Sequence, residues 1–188
     1  MSIIRLLDGT KIYIQSIIDN YSRLILSHHT SLNYGGLKTK NLIESAVLFS
    51  QENSAQNNST QLLVDSGVEN LNSNVDQVLS KHQIERKIAQ IDIRQSNSMI
   101  KAFFRSLKNN YLYYQKLESF ESVKKHVDKY IKDHNELIPH TAFKGETPLE
   151  KYSMNNAEQI EEMSKNNSLA LLNRIQTNLA SSCRHCAP

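Results

Sequence analysis

Along the first third of the chain, short apolar runs are interrupted by turn residues. Beyond that, apolar positions recur every three or four residues, so strands are expected first and mostly helices afterwards. Residues 3–7 and 11–19 flank Asp8-Gly9, a dipeptide able to supply the positive φ angles of a tight hairpin. Residues 23–31, RLILSHHTS, predict a third strand and hence an antiparallel meander, with Asp19 capping the connection. Gly35-Gly36 breaks the pattern. Leu42, Ile43, Ala46, Val47 and Ser50 then fall at helical spacing, predicting about three turns over 37–50. The polar run 51–60 has nothing to bury and is expected to be a loop.

Residues 61–65, QLLVD, are a compact apolar run ending in an acid, the pattern of a buried parallel strand whose C-terminal end faces the chemistry of an open α/β sheet. Asp65 either acts there or bonds its own backbone in the turn that Ser66-Gly67 opens. A short helix is expected over 74–82 and a strand over 84–91. An amphipathic helix follows over 95–108, with Ile100, Phe103, Phe104, Leu107 and Tyr111 on one side and Asn97, Lys101, Arg105 and Lys108 on the other. From Ser119, a further helix sets Phe120, Val123, Val127, Tyr130 and Ile131 against Lys124, Lys125, Lys129 and Lys132. Thr147-Pro148 opens a short helix, proline being at home in a first turn. A last helix over 157–180, with Ile160, Met163, Leu171, Leu172, Ile175 and Leu179, is expected to pack on the body or on another subunit.

Composition changes this picture little. A length of 188 residues suits one domain with an extension, and a net charge of +3 permits a polyanionic partner without demanding one. No apolar run is long enough to cross a bilayer and no signal segment opens the chain, so no membrane partner and a cytoplasmic location are expected. Cys183 and Cys186 form half of a tetrahedral zinc set, and a frayed, reduced tail is the simpler expectation for them.

Four stretches carry a resemblance: IIDNYSR at 17–23, LLVDSGVEN at 62–70, SNSMIKAFFRSLKNNYL at 96–112, and the run from Asn135 through PHTAFKGETPLEKY. With the expected element order, they resemble the catalytic core of retroviral-type integrases and bacterial insertion-sequence transposases. The resemblance implies a ribonuclease H-like α/β fold, with a mixed five-stranded sheet flanked by helices. The core would span 1–152, its first strand truncated, and a helical extension and tail would span 153–188. The implied chemistry is attack on a DNA phosphodiester, assisted by two Mg²⁺ (or Mn²⁺) ions between three carboxylates, because hard cations take oxygen ligands. DNA and further copies of the chain, or an intact transposase, are the implied partners.

The second family carboxylate falls on Asp65. The third is normally a glutamate separated from it by thirty-five residues, which here leads to Lys101. The first normally stands two residues before a threonine on the first strand; with Ser2 in the threonine's place, it would precede Met1. Glutamate to lysine removes both ligand oxygens. It also places an ammonium where a unit charge pair at about 4 Å and an effective dielectric of about 20 interacts by roughly 4 kcal/mol, doubled for a divalent ion. That equals or exceeds the binding energy of a millimolar Mg²⁺ site, on the order of 4 kcal/mol. Asp8, Asp19 and Glu69 have no evident route to the same point. The expectation is therefore an impaired enzyme in which Lys101 lies near Asp65 and pairs with it. The basic residues Arg105 and Lys108, the latter matching a transposase position seven residues after the glutamate, would contact DNA. An active strand-transfer enzyme with a miscalled start and a non-catalytic partner of intact transposase are the alternative readings. Ile138 stands where an arginine is usual before Pro139-His140, which weakens any family role for that loop.

Overall fold

β-Branched and apolar residues on alternating positions near the start of the chain give each strand two faces to bury, and the molecule places helices against both. The computed structural model describes residues 1–53, 60–89, 91, 98–143, 145–153, 169 and 172–177. Strands β1 (Ser2–Arg5), β2 (Lys11–Ile18) and β3 (Ile25–Ser31) form the antiparallel meander. Its first turn is closed by the Gly9 N–H donating to the Leu6 carbonyl at 3.0 Å, and Gly9 alone of the Asp-Gly pair takes a positive φ, 85°. A glycine bulge thus ends the hairpin loop, in place of the two-residue turn expected. Asp19 caps the second connection, Oδ2 accepting from the Ser22 N–H at 2.7 Å and from its hydroxyl at 2.6 Å.

Helix α1 (Gly36–Asn53) runs further than the apolar pattern suggested, because a nucleated helix gains a hydrogen bond with each residue added and Asn53 Nδ2 donates back to the Phe49 carbonyl. Residues 51–53 of the expected loop are therefore helical, and 54–59 lie outside the described residues. β4 (Gln61–Val64), α2 (Ser73–Lys81) and β5 (Glu85–Ile88) follow, with β4 and β5 paired in parallel from Gln61↔Glu85 to Val64↔Ile88. Asn72 caps α2, its Oδ1 accepting from the Val75 N–H.

The five strands hydrogen-bond as two sets, β1-β2-β3 and β4-β5. A single continuous five-stranded ladder was expected. β1 and β4 have only four residues each, so a ladder between them would hold few bonds.

α3 (Ser98–Ser106) passes into a π-helical turn, Leu107–Tyr111, and a 3₁₀ turn, Leu112–Tyr114. α4 (Phe120–Glu136) begins at Ser119, whose hydroxyl accepts from the Ser122 N–H at 3.2 Å, and α5 (Pro148–Ser153) begins at the expected proline. Two apolar clusters lie on opposite faces of the strands. Ile4, Ile12, Ile14 and Ile25 pack with Phe103, Phe104, Leu107, Leu112, Val123, Val127 and Ile131, while Ile17 and Leu62 pack with Ile43, Val75, Val78 and Leu79. The lysine face of α4 is exposed, as its spacing predicts.

Polar clasps fix α4 to β3. Asn135 accepts from the Ile25 N–H and donates to its carbonyl, both at 3.0 Å, extending the strand's bonding with a side chain. His134 Nε2 lies 3.0 Å from the Arg23 carbonyl, and His28 Nε2 lies 2.9 Å from Asp128 Oδ1. Most of the expected helix 157–180 lies outside the described residues; within it, 172–177 are helical. Leu172 and Ile175 are exposed, and it is Arg174 that docks, with two bonds of 2.9 Å to the Glu150 carboxylate and one of 3.0 Å to the Gly145 carbonyl. Cys183 and Cys186 lie outside the described residues.

Candidate functional site

Asp65 follows directly on β4, at the C-terminal end of a parallel strand, and is exposed. One oxygen of its carboxylate is engaged in the turn. Oδ1 accepts from Asn70 Nδ2 at 2.6 Å and, more weakly, from the Gly67 N–H at 3.3 Å, so the residue closes the turn that follows the strand. A Cβ at Gly67 would lie 2.5 Å from Glu69 Oε2, the far end of a flexible side chain that could move aside. Asn70, not singled out from the sequence, holds the acid in place, and a polar residue five positions beyond a strand-terminal aspartate is the only sequence signal for it.

Lys101 is exposed on α3, on the side opposite Phe103 and Phe104, which are buried. Among the described residues no acid comes within ion-pairing distance of it, so the expected Lys101–Asp65 pair does not form. Asp65 takes its neighbour's amide instead. Lys101 and Arg105 line an open groove of about 550 Å³ with Ser98, Ala102, Ser106, Asn109 and Asn110, and Asp65 is not among the lining residues. Ser98, Lys101, Arg105 and Asn109 stand on one stripe of a helix, and the wider π turn brings Asn110 to the same side. That stripe was legible in the spacing, although Ser98, Ser106, Asn109 and Asn110 drew no notice beside the charges. Asn110 Nδ2 donates to Ser106 Oγ at 3.2 Å, and that hydroxyl lies 2.9 Å from the Tyr130 hydroxyl, so the end of the groove is anchored to α4.

Lys108 belongs to the π turn but not to the groove. It is half-buried, and burial holds its pKa below the ordinary lysine value. Arg105 and Lys108 are thus three residues apart but differ in setting, one open to the groove and the other partly withdrawn from water.

A divalent ion needs several oxygen ligands converging on one point. Among the described residues, no three His, Cys, Asp or Glu side chains gather in that way. With Asp65 Oδ1 engaged by Asn70 and a lysine on α3 at position 101, the donors among the described residues do not fit a two-ion centre.

The integrase core domain family matches residues 82–148, a segment that runs from the end of α2 to the start of α5 and includes the whole groove. No curated protein matches the chain. Among solved structures, the HTLV-2 integrase catalytic core domain in complex with magnesium, in its dimeric form, aligns with a TM-score of 0.58 at 12% identity over 80% of this chain and 90% of that one. A chain of the simian T-cell lymphotropic virus intasome, in complex with a PP2A regulatory subunit, aligns with a TM-score of 0.63 at 11% identity, over 80% of this chain and 51% of its own. The Mos1 transposase catalytic domain, solved with raltegravir and magnesium, aligns with a TM-score of 0.55 at 13% identity over 90% of this chain and 80% of that one. Residues 82–148 therefore resemble the integrase core domain family over about a third of the chain, and the chain has the ribonuclease H-like fold that retroviral integrase and transposase catalytic cores share.

Proposed function

We propose that this protein is a DNA-integration or transposition core, spanning residues 1–152 with an extension over 153–188, whose metal-dependent strand chemistry is impaired at position 101. The observation that carries the reading is an exposed lysine on α3, inside the matched integrase segment, at the spacing from Asp65 where the resemblance calls for a glutamate. Because Lys101 is open to water, screening reduces its repulsion of a cation below the unscreened figure. Loss of both glutamate oxygens is unaffected by screening, and it is the larger part of the defect.

DNA is the partner, contacted through Arg105 and Lys108, and assembly proceeds with further copies or with an intact transposase. The HTLV-2 core is described in a dimeric form and the simian relative in an intasome, which supports this reading without fixing a stoichiometry. Mg²⁺ accompanies the HTLV-2 and Mos1 cores, so a divalent ion is the family's expected cofactor, although the donors among the described residues do not fit it.

A strand-cleavage assay on labelled duplex DNA with Mg²⁺ or Mn²⁺ tests the proposal. The unmodified chain is expected to leave the duplex intact while still retarding it. Cleavage by the unmodified chain that disappears in Asp65→Asn would overturn the impairment, and failure to bind duplex DNA at low salt would overturn the whole reading.

A further inference from the structure

We infer that the groove along α3 is a metal-independent phosphodiester clamp in which Lys101 itself contacts the nucleic-acid backbone. The inference rests on the proposed DNA-binding function and deepens it: the position that lost a metal ligand has become a direct anion contact.

Charge distribution carries the first step. Residues 93–117 hold five basic residues, Arg94, Lys101, Arg105, Lys108 and Lys116, and no acid. Helix α4 also carries lysines, but with Glu121, Asp128, Asp133 and Glu136 among them, and Lys124 pairs with Asp128 at 3.6 Å. Elsewhere Lys81, Arg86, Lys87 and Arg174 each have an acidic partner. Lys101, Arg105 and Lys108, like several other surface lysines such as Lys125 and Lys129, have none among the described residues, but they alone share one helical stretch without any acid. A positive stripe left uncompensated by its own helix and by the packed neighbours is suited to an external polyanion.

Groove chemistry carries the second step. Lys101 and Arg105 are donor-only cations one helical turn apart, and Ser98, Ser106, Asn109 and Asn110 add hydroxyl and amide groups along the same 550 Å³ groove. Such a row offers hydrogen bonds and positive charge to successive phosphate oxygens and presents no carboxylate through which a bridging cation would be held. Three residues beyond Asn110 the chain exposes the rings of Tyr113 and Tyr114, at 63% and 80%. Exposed aromatic rings a few residues along the chain from a cationic groove suit unpaired bases, as at a frayed duplex end, better than the carboxylates of an acidic peptide.

Fluorescence anisotropy with a labelled DNA duplex and the full chain, in EDTA and in Mg²⁺ across a salt series, tests the inference. Binding is expected in EDTA and should not tighten when Mg²⁺ is added. Lys101→Ala and Arg105→Ala, both at exposed positions, should each lower the slope of log affinity against log salt by about 0.9, the loss of one phosphate contact. Lys101→Glu should weaken binding in EDTA further than Lys101→Ala. An unchanged slope in Lys101→Ala, with its thermal unfolding matching the parent, would overturn the clamp while leaving the proposed function standing. Binding that requires Mg²⁺ would do the same. Absence of duplex binding by the parent chain would remove both, and competition by polyglutamate as effective as that by unlabelled DNA would overturn the nucleic-acid assignment.

Discussion

At the residue scale, Asp65 and Lys101 are the positions to which the family resemblance assigns two carboxylates, and their surroundings differ from what it implies. Position alone makes Asp65 a candidate ligand, yet its carboxylate serves the turn through Asn70 at 2.6 Å. Replacing Asp65 by alanine should cost no more than about 1 kcal/mol, the net worth of an exposed hydrogen bond, as read from urea unfolding. A cost well above that would mean the acid does more than close its turn. Spacing along the sequence made Lys101 conspicuous, but it gave no sign that Asn70 would capture the aspartate, because an amide five residues away has no periodic signature. Asn109 and Asn110 were missed for a different reason. Neutral amides on a helix draw attention only once the π turn is seen to bring both to one side.

At the element scale, the amphipathic reading of α3 and α4 was dependable because burial and spacing are two views of one constraint. Phe103, Phe104, Leu107, Val123, Val127 and Ile131 are all buried in one cluster, as their periodicity requires. Leu107 is fully buried at the junction of α3 and the π turn. Leu107→Ala should lower stability by about 2–5 kcal/mol, the range for a large-to-small change in a packed core, measured by denaturant unfolding. Ser119→Ala, which removes the α4 cap, should cost about 1 kcal/mol by the same measurement. The C-terminal segment was harder to read. Its apolar residues suggested hydrophobic packing; among the described residues Leu172 and Ile175 are exposed and Arg174 forks on Glu150, while Ile160, Met163, Leu171 and Leu179 lie outside them. Burial alone would raise the Glu150 pKa, but the guanidinium and the Thr147 N–H outweigh it and hold the carboxyl below its ordinary value. Arg174→Ala should therefore expose the segment 172–177 to faster limited proteolysis while leaving the core cluster intact.

At the scale of the whole molecule, the antiparallel meander followed from patterning and the helices flanking the strands from the family resemblance, and the division of the five strands into two hydrogen-bonded sets followed from neither. Hydrophobic period reports which face is buried but is silent on which strand edges bond. Half-buried histidines tie the layers to pH. His134, between Phe103 and Tyr130, is held below its ordinary pKa of 6.5 chiefly by burial, and His29 and His140 are shifted downward for the same leading reason. A histidine with a depressed folded-state pKa binds its proton more readily when unfolded. Its stabilisation is therefore present above the unfolded value and lost as pH falls through the folded one. Unfolding midpoints should decline as pH drops below about 6.5, and His134→Gln should flatten that decline without abolishing it. No helix among the described residues is long and apolar enough to cross a membrane. The central proposal is that an integrase-type fold here carries a site unable to hold the metal that the family resemblance implies, and calorimetric titration of the intact chain with Mn²⁺ tests it most directly. The account predicts no micromolar binding. Micromolar binding to the unmodified chain, abolished by Asp65→Asn, would contradict it.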